Sequence, residues 1–312
     1  MTRYPLSAGM TAFVERTRAF AVADTSLAAQ RAAYSRMAAA FTPPPPAGVQ
    51  VRDLRHAQLP PLRLYYPARP APPGGWPTAL FLHGGGWILG DLDSHAFFCA
   101  ELAMRLGLLI VAVDYRLAPE HPFPAALEDS LAAWRALRDG VVDEPIDRSR
   151  MAVVGDSAGG NLAAALCLAL RDADEQQPCA QVLIYPALGD ENTASRHACA
   201  DAPLLSCEDL QACLDAYLPA STRSYLALPL RAHDLCGLAP AFIGVAEFDP
   251  LRDDGLLYAE RLRGDGVAVE YFPGHGLVHG CLRARGLPEV DRMCDALFEV
   301  LASRMACPAR SH

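Results

Sequence analysis

From residue 78 onward the chain alternates short, nearly unbroken apolar runs with longer stretches whose apolar residues recur every three or four positions. The runs lie at 78–82, 108–113, 151–154, 182–185, 242–246 and 267–272. Each is too short for a helix and too uniformly apolar for a strand with one wet face, so they read as strands buried on both faces. The stretches between them predict helices at 94–106, 124–139 and 251–263, one after Ser157 that runs to Leu170, and a closing helix at 288–305. Ser94 is placed to cap the first of these, and Val290, Met293, Leu297 and Leu301 give the last its inward stripe. Strands and helices in alternation predict an α/β class: a mostly parallel sheet covered by helices on both faces.

Three segments fall outside this rhythm. Residues 49–56 and 62–66, separated by Pro60-Pro61, read as an antiparallel pair at a sheet edge. Residues 1–41 read as helical and amphipathic, with Phe13, Val14, Phe20, Val22, Leu27, Tyr34 and Met37 as the apolar positions. Thr42-Pro43-Pro44-Pro45-Pro46 then forms a stiff, extended stop. Residues 187–237 are rich in Cys and Ala and hold one helix near 207–218. Open α/β sheets place their sites at the carboxyl ends of the strands, and residues 1–41 and 187–237 are expected to pack together there as a lid. The expected division is 1–46 as the N-terminal part of a helical cap and 47–186 as the first part of the core. The cap insertion then spans 187–237, and 238–312 completes the core.

Composition narrows the function. At 312 residues the chain can bury a large core, and its net charge of −9, without a basic cluster, argues against a nucleic-acid partner. All 27 basic residues are Arg. The absence of Lys excludes a Schiff base, a P-loop lysine and a Ser-x-x-Lys nucleophile in this chain. Ten Cys occur without a C-x-x-C pair, several in apolar positions, which reads as free thiols in a reducing, cytoplasmic setting. The opening MTRYPLSAGM has no apolar core of a signal peptide, and no apolar run reaches 18 residues, so neither export nor a membrane span is expected. No H-E-x-x-H and no Cys/His set at ligand spacing occurs, so no metal is expected.

The stretch at 151–170, MAVVGDSAGGNLAAALCLAL, carries the chemistry. Gly155, Ser157 and Gly159 fit G-x-S-x-G, a nucleophile on a tight strand-to-helix turn. Glycines are needed there because strand and helix pass close together. A serine hydroxyl needs a base, and an acid to hold that base, in the chain order Ser, acid, His. His279 follows the last strand and precedes Gly280; His275 reads as a loop residue shaping the same turn. His197 and His233 fall in the irregular insertion, and His312 ends the chain. Asp249 is the first aspartate past the strand at 242–246. Asp253 and Asp254 read as first-turn residues of the next helix, and Glu247 as either a supporting or an exposed group. One oxyanion donor is the N–H of Ala158, beside the nucleophile. Others are expected from the loop His83-Gly84-Gly85-Gly86, which His83 braces. Losing one such donor typically costs on the order of 3 kcal/mol of transition-state stabilisation.

Together HGGGW at 83–87, DYRLAPEHPFPAALED at 114–129, GDSAGGN at 155–161, DPLRDDG at 249–255 and VHG at 278–280 resemble the bacterial hormone-sensitive-lipase-like carboxylesterases, over about residues 50–305. The resemblance implies an α/β-hydrolase fold with a helical cap and a triad of Ser157, Asp249 and His279. It also implies an oxyanion hole at Gly85, Gly86 and Ala158. The substrates it implies are short- to medium-chain acyl or aryl esters as small-molecule partners, hydrolysed without a cofactor. A homodimer through the edge strand at 267–272 is a further implication. Two departures stand out: Cys281 where the family often has Phe after His-Gly, and a longer, more polar loop at 273–277. The same groups would serve an amidase or a lactonase, and the same fold serves as a non-catalytic ligand-binding protein in principle.

Overall fold

A computed structural model describes residues 4–306 except 221 and 223; Cys307 and His312 lie outside the described residues. The apolar runs form one eight-stranded sheet. Its strands are β1 (Val49–Leu54), β2 (Leu62–Pro67), β3 (Trp76–Leu82), β4 (Leu109–Val113), β5 (Ile146–Asp156), β6 (Ala180–Ile184), β7 (Ala241–Gly244) and β8 (Val269–Phe272). Their spatial order is β1-β2-β4-β3-β5-β6-β7-β8. β1 and β2 form an antiparallel pair, β2 is antiparallel to β4, and every later pairing is parallel.

The helices are α1 (Ala8–Arg18), α2 (Leu27–Phe41), α3 (Ala96–Leu106), α4 (Ala125–Asp139), α5 (Ala158–Asp172), α6 (Ala194–Ala198), α7 (Cys207–Tyr217), α8 (Arg252–Gly264) and α9 (Pro288–Met305). Along β3, Leu80 and Leu82 join one core with Trp134 of α4, Leu162 of α5 and Tyr258 of α8. Ala79 and Phe81 join another with Phe98 of α3 and Met293 and Leu297 of α9. Side chains alternate between two dry faces, which is why the strands read as continuous apolar runs. The expected α/β-hydrolase architecture is what the chain adopts. None of the helices among the described residues is long and apolar enough to cross a membrane.

Two local expectations are corrected, and a third is resolved in detail. The strand leading to Ser157 starts at Ile146, five residues before the apolar run, because its first half projects past the covered part of the sheet and carries exposed polar residues. Ser94 does not cap α3. His95 holds that position without a side-chain hydrogen bond, while Ser94 Oγ donates to the Asp91 carbonyl at 2.7 Å and the Ser94 N–H donates to Asp91 Oδ1 at 2.8 Å. An aspartate that bonds its own following backbone makes a turn, and the helix starts after it. The helical stretch at 1–41 is two helices, each opened by a serine cap. Ser7 Oγ accepts from the Met10 N–H, and Ser26 Oγ from the Ala29 N–H.

α1, α2 and α7 roof a cavity of about 450 Å³ over the carboxyl ends of β3, β5 and β6. Aromatic stacking ties the roof to the sheet. Trp87, five residues after β3, lies face to face on Tyr217 of α7 at 4.3 Å, and Phe123 meets the same tyrosine edge-on. Such pairs contribute about 1 kcal/mol each beyond their buried area.

Candidate active site

β5 ends at Asp156 and α5 begins at Ala158, so Ser157 is the whole turn between them. Its φ of 55° and ψ of −117° lie where side-chain-bearing residues are rare, a strain on the order of 1–3 kcal/mol. The neighbouring structure holds it: the Ser157 N–H donates to the Ile184 carbonyl at 2.8 Å. The flanking glycines have the steric task expected of them. A Cβ on Gly155 would sit 2.1 Å from the Gly159 carbonyl oxygen, and a Cβ on Gly159 would sit 1.9 Å from that of Leu82. Backbone atoms at both points cannot swing aside. Gly159→Ala is therefore expected to lose about 3 kcal/mol of stability, read as a lowered urea midpoint with an unchanged slope. A midpoint equal to wild type would contradict the tight crossing.

His279 and Asp249 reach this turn from two loops beyond β8 and β7. The loops are zipped together by a parallel bridge between Phe248 and Val278, with the Phe248 N–H on the Leu277 carbonyl at 3.0 Å. His279 Nε2 lies 2.9 Å from Ser157 Oγ, and His279 Nδ1 lies 2.7 Å from Asp249 Oδ2. Asp249 is fully buried, and its Oδ1 accepts the Leu251 N–H at 2.8 Å. The carboxylate accepts from Nδ1–H and leaves Nε2 bare, the tautomer that takes a proton from a serine hydroxyl.

The other donors surround the same space. Gly85, at φ 128°, and Gly86, at φ 60°, line the cavity with Ser157, Ala158 and His279. A Cβ on Gly86 would meet Cys213 Sγ of α7 at 2.4 Å. Ala158 is the first residue of α5, so its N–H has no partner within the helix. His83 is buried behind this loop, packed flat on Tyr115 at 4.3 Å, with its Nδ1 2.9 Å from the Gly84 carbonyl. The Tyr115 hydroxyl donates to the His83 carbonyl at 2.6 Å. Burial pushes the His83 pKa down to about 4, so the ring is a neutral brace.

The remaining candidates separate. The His275 side chain is 80% exposed and does not face the cavity. Glu247 supports the histidine loop, its Oε2 accepting the Gly276 N–H at 2.7 Å. His233 is fully exposed. Asp253 and Asp254 do more than favour the first turn of α8. Asp254 accepts the N–H groups of Leu188 and Gly189, lies 3.2 Å from Arg196, and is fully buried. Asp253 accepts the Ser195 N–H. They clamp the start of the 187–237 segment to the first turn of α8, just past the loop that carries Asp249. Burial lifts the Asp254 carboxyl to about 6, against the pull of Arg196 and the two backbone donors. Cys281 is buried in the core behind the histidine loop rather than in the cavity wall.

Sequence reasoning missed the polar wall of the cavity: Tyr34, His95, Asp156 and Arg283. Only Asp156 carried a signal, as an acidic residue inside an otherwise apolar and glycine-rich stretch.

The alpha/beta hydrolase fold family matches residues 79–283. Carboxylesterase NlhH of Mycobacterium tuberculosis is 40% identical over 272 residues, covering 84% of this chain and 85% of that one. Ethyl acetate hydrolase of Pseudomonas putida is 38% identical over 233 residues, covering 73% of each. Among solved structures, a bacterial heroin esterase superposes with a TM-score of 0.91 at 32% identity, over 98% of this chain and all of that one. The chain therefore belongs to the hormone-sensitive-lipase-like carboxylesterases of the α/β-hydrolase superfamily and is a carboxylic ester hydrolase.

Proposed function

We propose that the protein is a serine esterase of short- to medium-chain acyl or aryl esters, working through Ser157, His279 and Asp249. The observation that carries this reading is the unbroken hydrogen-bonded line from Ser157 Oγ through His279 to the buried Asp249 carboxylate. Ser157 attacks the ester carbonyl, and His279 Nε2 takes its proton. The oxyanion of the tetrahedral intermediate is met by the N–H groups of Gly85, Gly86 and Ala158. His279 returns the proton to the departing alcohol, leaving an acyl-enzyme. A water, deprotonated by the same imidazole, then releases the acid. Asp249 holds the imidazole in place.

The segments at 1–46 and 187–237 form the cap in this reading, and they set what fits. The cavity of about 450 Å³ has mostly apolar walls, from Phe13, Met37, Leu205, Leu210 and their neighbours. Across a series of p-nitrophenyl esters, kcat/KM is expected to peak between butyrate and octanoate. It should fall at least tenfold by hexadecanoate, whose chain outgrows the cavity. A rate that climbs steadily to hexadecanoate would refute the chain-length assignment. A p-nitroanilide and a γ-lactone of matched size belong in the same panel, and the ester is expected to be turned over fastest. A homodimer through the free edge of β8, in the cytoplasm, belongs to the same reading. The mass in solution tests the first, and cell fractionation the second.

A further inference from the structure

Asp156, one residue before Ser157, is a buried acid for which the reaction above has no use. Its carboxylate occupies a made-to-measure place. Oδ1 accepts the Gly84 N–H at 2.8 Å, and Oδ2 lies 3.3 Å from His95 Nε2. A Cβ on Gly84 would sit 2.5 Å from Oδ2, so the approach of the loop to this carboxylate requires glycine. Burial opposes ionisation of Asp156, but His95, Arg283 and the Gly84 N–H hold its carboxyl below the usual range. An ionised carboxylate accepts only, so it can hold His95 by a hydrogen bond only through a proton on Nε2.

Behind His95 stands Arg283, itself nearly buried. Its Nη1 donates to the Ser94 carbonyl at 2.6 Å, and its Nη2 to the Tyr34 hydroxyl at 3.0 Å. The same Nη2 lies 3.4 Å from His95 Nε2. Arg283 sits four residues past His279, and Tyr34 belongs to α2 in the roof of the cavity. One polar line thus runs from the roof, past the histidine loop, to the loop that presents Gly85 and Gly86.

We propose that Asp156 is a positioning residue for ester hydrolysis: it fixes the oxyanion loop against the Ser157 turn, and His95 and Arg283 tie that placement to Tyr34 of the roof. The physical need is plain. The loop at 84–86 is three consecutive glycines, the residue type with the greatest intrinsic backbone freedom. A donor displaced by about 1 Å loses much of its grip on a developing oxyanion. On its other flank the loop leans on His83 and Tyr115; Asp156 is the group that joins it to the nucleophile's own strand.

This inference rests on the Ser157 reading above, and the test separates the two. Active sites are first titrated with a p-nitrophenyl phosphonate, so that every rate is expressed per reactive serine. Asp156→Ala, which removes the acceptor of the Gly84 N–H, is expected to cut kcat on p-nitrophenyl butyrate roughly 10- to 100-fold, with KM within about twofold of wild type. A trifluoromethyl ketone, whose hemiketal oxygen uses the same donors, should lose affinity by the same factor. His95→Phe keeps the ring stacking and removes the donor, and should show a smaller loss of the same kind. His95→Gln, which offers an N–H near the Nε2 position, should recover most of it. Should Asp156→Ala fail to fold, the His95 pair decides alone. The proposal is overturned by unchanged kcat per titrated site, by a loss confined to KM, or by a ketone affinity that does not follow kcat. Failure of the phosphonate to label Ser157 in the unaltered enzyme would instead overturn the Ser157 reading.

Discussion

Ser157→Ala is expected to lower kcat on p-nitrophenyl butyrate by about 10⁶-fold, some 8 kcal/mol, while the protein folds as before. The size follows from the kind of group removed. Without the hydroxyl there is no attacking atom, and His279 and Asp249 have no proton to move. What is left is the oxyanion hole and simple binding, enough to polarise an ester toward water at a small fraction of the normal rate. The fold should not suffer, because alanine keeps the Cβ that the turn already accommodates at φ 55° and the N–H bond to Ile184. His279 Nε2 loses a partner in a cavity that water reaches, at little cost. The check is a pair of measurements on one preparation: steady-state rate, and melting temperature by circular dichroism. Activity within 100-fold of wild type, with the melting temperature unchanged, would show that another nucleophile does the work.

How far this site was legible depended on the reason each residue is where it is. Gly155 and Gly159 were legible because a steric demand between β5, α5 and β3 leaves no alternative to glycine. Asp249 and His279 were legible because the sheet order puts consecutive strand ends side by side, so that each falls one loop past its strand. Five of the six core strands were legible because both of their faces are dry; β8, at the sheet edge, is partly exposed. The outer half of β5 was not, since four of its five residues are polar and Arg148 and Ser149 are exposed. Ser94 misled because a serine before an apolar stretch looks the same whether it caps a helix or closes an Asx turn. Arg283 and Ser94, 189 residues apart, meet only after the whole core has assembled. No local pattern marks an arginine that will be buried beside His95, and none marks Asp254 as a clamp rather than a first-turn charge. The roof is the least legible part. Its helices are short, and their apolar positions serve the cavity and the core at once, so periodicity could not say which.

Asp249→Asn is expected to cost about 10⁴-fold in kcat, near 5 kcal/mol, although it changes one atom and leaves the shape of the site intact. The reason lies on the far side of the carboxylate. Asp249 uses Oδ1 to accept the Leu251 N–H and Oδ2 to accept from His279 Nδ1. An asparagine has one acceptor and one donor to offer to these two sites. The Leu251 N–H is a fixed backbone donor at the buried start of α8 and has to be met by the oxygen. The amide NH₂ then faces His279 Nδ1, which must give up its proton to accept that bond. The ring proton moves to Nε2, and the imidazole now presents a donor to Ser157 Oγ where catalysis requires a base. Stability is expected to change by no more than about 1 kcal/mol, since an amide replaces a buried charge of the same size. Phosphonate labelling of Ser157 should slow by a similar factor yet still reach one label per chain. Asp249→Ala, by contrast, leaves the Leu251 N–H unmet and opens a hole, so it should lose stability as well as rate. If Asp249→Asn retained more than a tenth of wild-type kcat, the tautomer argument would fail, and with it the role given to Asp249.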